Sequence, residues 1–533
     1  MSTDGTLDVV VVGAGFAGLY AAYRAKHAGM SVHGFEAGAD VGGTWYWNRY
    51  PGARCDVESV DYSFSFDDDL QQEWTWSERF ATQPEILDYL RHAAGRFGLY
   101  ALYAFGERVE AAAYNEHART WEITTDRGSR VVARYLVLAT GSLSVPYQPA
   151  IPGAADFGGE VYFTARWPHT PVSFANKRVG VIGTGSSGIQ TVPELAREAA
   201  SVTVFQRTAN YSIPISSEPL SAAEVAEVKA HYAERRARTR RGLYGDVTRD
   251  PYPTSPMEVS EAERNRVLEE SWKRGGVFFA RTFPNQMVDP ETNRVASEFV
   301  RDKIRGIVRD PRVAADVIPD DHPIGAKRIC TDSGYYAAFN LDHVNLVNLR
   351  RDPIERIDPR GIRSARGLHE LDVIVYATGF DAFTGALAGM ELRGEGGVGL
   401  TDVWRDGPLT YLGMIVPGFP NAFILNGPGS TGPLANMVLG VEQQIDWVYD
   451  VIDEAARRGA TRAAVSEAEA EKWTTFVDEV ARRTLFARAG SWYSGSNIEG
   501  KHVRFMPYAG GLGDYVDRCR AEAAAGFPTL DLG

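Results

Sequence analysis

The chain has 533 residues, 44% of them hydrophobic and 23% charged, an ordinary composition for a globular protein too long for one core. Its formal net charge of −13 excludes the basic surface that nonspecific nucleic-acid binding needs, and no apolar run approaches the ~18 residues that span a bilayer. Three scattered cysteines (Cys55, Cys330, Cys519) without a CxxC pair exclude a metal knuckle and a redox-active dithiol; with no signal peptide before the first strand, they fit free thiols in a cytoplasmic protein.

Asp8-Val9-Val10-Val11-Val12 reads as a buried parallel strand. It runs into Gly13-Ala14-Gly15-Phe16-Ala17-Gly18, which opens a helix reaching about His27. The next strand, Ser31–Phe35, ends at Glu36, 18 residues past the last glycine. Glycines let backbone approach a pyrophosphate, the helix N-terminus offers unpaired N–H groups, and an acid at the strand end accepts from a ribose diol. This unit predicts an FAD site made by Gly13, Gly15, Gly18 and Glu36. Gly42-Gly43-Thr44-Trp45 follows, a turn type that carries backbone against a flavin diphosphate, so Gly43, Thr44 and Trp45 join the site. Arg54-Cys55-Asp56 then places Asp56 near the flavin ring. A later strand, Arg134–Thr140, stops at Gly141 before a joint containing Pro146, Pro149 and Pro152.

A second unit opens with Arg178–Ile182, continues through Gly183-Thr184-Gly185-Ser186-Ser187-Gly188 and the strand Val202–Phe205, and meets Arg207 19 residues past its last glycine. A base there suits a 2′-phosphate, which predicts NADPH on Gly183, Gly185, Ser186, Gly188 and Arg207. Between Ser216 and Asp321 the composition turns helical: Ser221-x-x-Glu224 reads as a capping box, and Ala222–Arg241 and Ser297–Val308 as helices. Five arginines in the seven positions Arg235–Arg241 read as a solvated helix end rather than a polyanion site. The strand Leu371–Thr378, ending at Gly379, repeats the Ala-Thr-Gly end of the first unit. The predicted class is α/β: two Rossmann-like dinucleotide-binding domains, for FAD (1–142 and 384–533) and NADPH (143–215 and 322–383), with a helical insertion (216–321) in the NADPH domain.

The segment Phe157-Gly158-Gly159-Glu160-Val161-Tyr162-Phe163-Thr164-Ala165-Arg166-Trp167-Pro168 resembles the signature of the Baeyer–Villiger monooxygenases, Phe-x-Gly, three residues, His, three residues, Trp, Pro. Phe157, Gly159, Trp167 and Pro168 match, whereas Phe163 stands where the family has histidine. Gly43–Arg54, Val181–Gln190, Phe205-Gln206-Arg207, Gly379-Phe380-Asp381 and Ser491-Trp492-Tyr493 also resemble this family, closest to its phenylacetone and cyclohexanone monooxygenase type. The resemblance implies that Arg328 is catalytic, with Asp56 beside it. It implies that Lys327, Arg207 and Thr208 hold NADPH and that Trp492 reaches the nicotinamide cofactor from a mobile loop. It also implies that Leu434 and Met437 border the substrate pocket. The implied reaction takes a ketone and O₂: NADPH reduces FAD, a C4a-peroxyflavin forms and attacks the carbonyl, and rearrangement gives an ester or lactone. The partners are small molecules only, with no metal, nucleic acid or membrane. Three other readings stand beside it: a flavin N- or S-oxygenating monooxygenase, a disulfide reductase (disfavoured by the missing CxxC) and an NADPH-sensing flavoprotein.

Overall fold

In a computed structural model, residues 5–245 and 250–533 are described. Strand β1 (Leu7–Val12) is an unbroken apolar run because it lies inside a sheet, where Val9, Val10 and Val11 are fully buried. Helix α1 (Phe16–His27) crosses over to β2 (Val32–Glu36), which pairs parallel to β1. On its other side β1 pairs parallel to Arg130–Leu138. The whole sheet has eight strands, and two come from late in the chain: Glu391–Arg393 and Ala422–Ile424.

The same unit recurs as β3 (Arg178–Ile182), α2 (Ser186–Glu198) and β4 (Ser201–Gln206), in a five-stranded sheet whose pairs are all parallel. Its remaining strands are Val344–Asn348, Val373–Tyr376 and Glu160–Phe163. The two Ala-Thr-Gly ends have a common physical role. A Cβ on Gly13 would stand 2.5 Å from the Ala139 carbonyl oxygen, and one on Gly183 would stand 2.4 Å from that of Ala377. Each fingerprint's first glycine therefore packs directly on the strand that ends in Ala-Thr-Gly.

Phe163, at the place of the signature histidine, stacks on Tyr376 with centroids 4.8 Å apart and packs against an apolar cluster around Ile182, Phe205 and Ile374. Trp167 is buried, and its N–H donates to the Trp47 carbonyl at 3.2 Å. The signature segment thus ties the second sheet to the segment following β2.

The helical block behaves differently from its sequence pattern. Ser221 forms the expected capping box, but the chain breaks at His231 into Ala222–Ala230 and α3 (Tyr232–Arg241). Helices Glu261–Arg274 and Pro290–Ile307 bury Val267, Leu268, Trp272, Val300 and Ile304 in the core of the second sheet, whereas Tyr232 of α3 enters the core of the first. The arginine run is not a solvated end. Arg235 clasps the fully buried Asp61 with two bonds of 2.7 Å and reaches Glu58 at 3.0 Å. Arg236 is buried and donates to Gln71, Ser63 and the carbonyls of Asp61 and Phe64. Arg240 donates to Ser65 at 2.8 Å, so three of the five arginines are bonded to one upstream segment. The acceptors lie about 170 residues upstream in the chain, in the segment just after Asp56, so the run alone could not reveal them. Burial raises the Glu58 pKa, but Arg79 and Arg235 outweigh it and hold the carboxyl below its ordinary value.

Removing Arg235 leaves Asp61 a buried charge without its partner, at a cost of about 3–5 kcal/mol. Arg235→Ala is expected to lower the melting temperature by several degrees, while Arg238→Ala on the exposed face stays within ~0.5 kcal/mol of wild type. Equal melting curves for the two variants would contradict the clamp.

Candidate functional site

The first cradle forms where β1 turns into α1. Gly13 holds φ +107°, and a Cβ on Gly18 would lie 1.8 Å from the Gly13 carbonyl oxygen. Gly15 begins α1 with no side-chain cap, so the first-turn N–H groups have no side-chain acceptor at Gly15 and remain available to a phosphate. Gly42 donates to the Ala14 carbonyl at 2.9 Å, and Gly43, at φ +52°, approaches so closely that its Cβ would stand 2.9 Å from Gly15 Cα. Thr44 and Trp45 open a short helix behind this contact; Trp45 is buried and its indole N–H donates to Tyr62 at 3.3 Å. Glu36 is 5% exposed and accepts from the N–H groups of Ala14 and Gly38, each at 2.7 Å. Burial nevertheless pushes its pKa up.

The second cradle repeats the plan. Gly183 holds φ +111°, a Cβ on Gly188 would lie 2.3 Å from the Gly183 carbonyl oxygen, and the side of Gly185 is open. Helix α2 also lacks a side-chain cap. Ser186, its first residue, meets the Cys330 thiol at 3.5 Å, and Thr184 donates to the Thr208 carbonyl at 2.7 Å. Arg207 is exposed just past β4. Lys327 stands near it: burial pushes the ammonium pKa below its ordinary value, Asp321 opposes this, and repulsion from Arg207 and Arg350 adds to it. Three cations stand against Asp321 and Asp320, which both pair with Arg350, so Arg207 and Lys327 are the charges that suit a phosphate. Two uncapped helix ends, glycines without room for a Cβ, an acid at one strand end and a cation cluster at the other fit one dinucleotide each, the second bearing a 2′-phosphate.

Helix α2 also brings the two halves together. Tyr50 donates to Gln190 at 2.8 Å, and Gln190 donates to the Arg54 carbonyl and the Thr331 hydroxyl, both at 3.2 Å. Arg54 and Thr331 flank the two groups expected to do chemistry. Across this joint Arg328 grips Asp56 with a bidentate pair, Nε to Oδ2 at 2.6 Å and Nη2 to Oδ1 at 2.7 Å. The remaining terminal nitrogen donates to the Pro433 carbonyl. Burial works against the guanidinium charge, but Asp56 more than restores it and raises the Arg328 pKa. The side chains of Arg328 and Asp56 keep 22% and 20% of their surface. Arg328 therefore stays charged while facing a cleft that opens to solvent.

Val57, Phe278, Ile329, Leu434 and Phe486 make most of that cleft apolar. Of the two pocket-loop residues, Leu434 lines the cleft, whereas Met437 is half-buried at the first turn of the helix Met437–Arg458, outside the lining. Trp492 stacks on Phe383, with centroids 6.0 Å apart, and meets Tyr493 at 4.4 Å, outside the cleft lining. Its neighbour Tyr493 lines the cleft, a role that sequence reasoning missed although the residue adjoins the one singled out. Phe278 and Tyr244, also in the lining, come from the helical block, where no motif marks them. Among the described residues no group of His, Cys, Asp and Glu could hold a metal, the three cysteines are buried and unpaired, and no helix is long and apolar enough to cross a membrane.

Residues 10–241 match the family model described as pyridine nucleotide-disulphide oxidoreductase. A Baeyer–Villiger monooxygenase of Pseudooceanicola batsensis is 40% identical over 98% of this chain and 96% of its own. Among solved structures, an oxidized steroid monooxygenase bound to NADP is 50% identical, covers 99% of both chains and superposes with a TM-score of 0.94. The OTEMO complex with FAD and NADP is 39% identical, covers 100% of both chains and reaches 0.96. With both nucleotide cradles and the guanidinium between them in place, the chain belongs to the Baeyer–Villiger monooxygenases, FAD-containing enzymes that use NADPH to insert one oxygen atom beside a ketone carbonyl.

Proposed function

We propose that this chain oxidises a bulky, largely apolar ketone, with Arg328 stabilising the negative charge that develops on oxygen and Asp56 holding Arg328 in place. The observation that carries this reading is the bidentate Asp56–Arg328 pair at the wall of a mostly apolar cleft. When bound, FAD supplies the redox chemistry, accepting a hydride from NADPH and activating O₂. The residues do the rest. A guanidinium keeps its charge at any working pH and offers several donors, which suits it to an oxyanion in a partly desolvated site. Asp56 fixes its plane and balances its charge. Lys327 and Arg207 hold the 2′-phosphate of NADPH, with Thr208 beside them, and Trp492 covers the nicotinamide side. The apolar lining limits water around the reacting oxygen. The steroid monooxygenase that shares 50% of its residues with this chain is in keeping with a polycyclic substrate.

A panel of linear, cyclic, aryl and polycyclic ketones plus a thioether, scored as product per NADPH consumed, tests the reading. Bulky ketones are expected to give esters or lactones; turnover of the thioether alone would favour oxygenation at sulfur or nitrogen. Arg328→Ala is expected to leave flavin reduction by NADPH intact and to lower ester formation at least roughly 100-fold; a normal ester yield would refute the assignment.

The lowered Lys327 pKa gives a second test. Its charge is complete well below the folded-state pKa and is lost as pH rises through it, earlier than for an ordinary lysine near about 10.4. KM for NADPH is therefore expected to climb with pH on the alkaline side in wild type and to stay flat in Lys327→Arg. Parallel profiles would remove Lys327 from the phosphate site.

A further inference from the structure

Arg328 carries five N–H groups, and Asp56 and Pro433 account for three of them, leaving one on each terminal nitrogen. Tyr493 stands beside it. The residue is 1% exposed and sits in the short turn Trp492–Ser494. Its ring meets Phe486 at 6.3 Å and Phe505 at 6.0 Å, both edge-on, and its carbonyl accepts from the Met506 N–H at 2.8 Å. These contacts hold the ring in place, with Phe486 lining the cleft beside it. Tyr493 and Arg328 line the same cleft, close enough for the guanidinium charge to pull on the phenol. A neutral phenol beside an arginine, which can only donate, has its O–H free to donate elsewhere. Burial pushes the Tyr493 pKa up to about 12 despite the opposing pull of Arg328, so the donor proton is present throughout the working range. Trp492, one residue earlier, packs on the Tyr493 ring at 4.4 Å and on Phe383 at 6.0 Å.

We propose that Tyr493 is a catalytic residue, whose O–H and a remaining N–H of Arg328 converge in the cleft as a two-donor site for the substrate's carbonyl oxygen. This rests on the ketone reading above. A ketone oxygen has two lone pairs, and both donors strengthen as that oxygen gains negative charge during addition at the carbonyl carbon. No proton needs to leave the phenol. The fixed pair also sets which face of the carbonyl meets the reacting oxygen, so the site bears on selectivity as well as rate.

Tyr493→Phe keeps the ring and removes only the hydroxyl; Tyr493→Leu removes both. In the FAD-loaded enzyme, Tyr493→Phe is expected to reduce flavin with NADPH at the wild-type rate under anaerobic conditions. With O₂ and the best ketone of the panel, its kcat for ester falls roughly 100-fold and the NADPH consumed appears as hydrogen peroxide. Calorimetry of the oxidised enzyme with the ester or lactone product, whose carbonyl takes the same donors, is expected to show weaker binding in Tyr493→Phe. If Tyr493→Phe matches wild type in ester yield and product binding while Tyr493→Leu fails, the residue is only packing and the proposal is overturned. If wild type converts no ketone, the functional reading itself falls, and this site with it.

Discussion

The ion pair between Asp56 and Arg328 is the contact on which the rest of the site depends. Its partners lie 272 residues apart in the chain, one following the first fingerprint and the other following the helical block. Such a pair is stable only when both charges are well placed, because taking either out of water is costly and a lone buried charge costs several kcal/mol. The bidentate geometry meets that requirement, and the surroundings enforce it. Tyr50, Gln190 and Thr331 bond across the joint on one side, and Arg235 grips Asp61 and Glu58 just beyond Asp56 on the other. The arginine-rich helix therefore serves the site from a distance, by holding the segment that carries Asp56.

The two nucleotide cradles share one geometry and differ in one charge. In both, a glycine at positive φ packs on the carbonyl of an Ala-Thr-Gly strand and a helix starts without a side-chain cap. At the end of β2 stands the buried Glu36, satisfied by two backbone N–H groups; past β4 stands Arg207, exposed, with Lys327 near it. The acid suits a ribose diol and the cations suit a 2′-phosphate. On the reading proposed above, one chain sorts two similar dinucleotides by local electrostatics, with Arg328 where the two halves meet.

Most of this was legible in the sequence because it depends on local rules. The fingerprints, the strand-end residues and the capping box at Ser221 are set by neighbours within about 20 residues, and they appear as read. The arginine run did not, since a count of charges gives no information about Asp61 and Ser63 far upstream. The break at His231 was equally hidden, because neither proline nor glycine marks it. In the cleft, Leu434 was marked only through the family resemblance, whereas Phe278 and Tyr244 reach the lining only through tertiary packing of the helical block. Phe163 departs from the family signature, and its place in an apolar cluster on Tyr376 explains how the fold accommodates it.

A double-mutant cycle addresses the ion pair most directly. Asp56→Ala, Arg328→Ala and the double variant would be compared by the rate of ester formation from one ketone, each loaded with FAD and reducible by NADPH. If Asp56 acts by holding Arg328, the double variant is no slower than Arg328→Ala alone, and the two losses are far from additive. Losses that simply add would mean that the two side chains act independently, and would contradict the account.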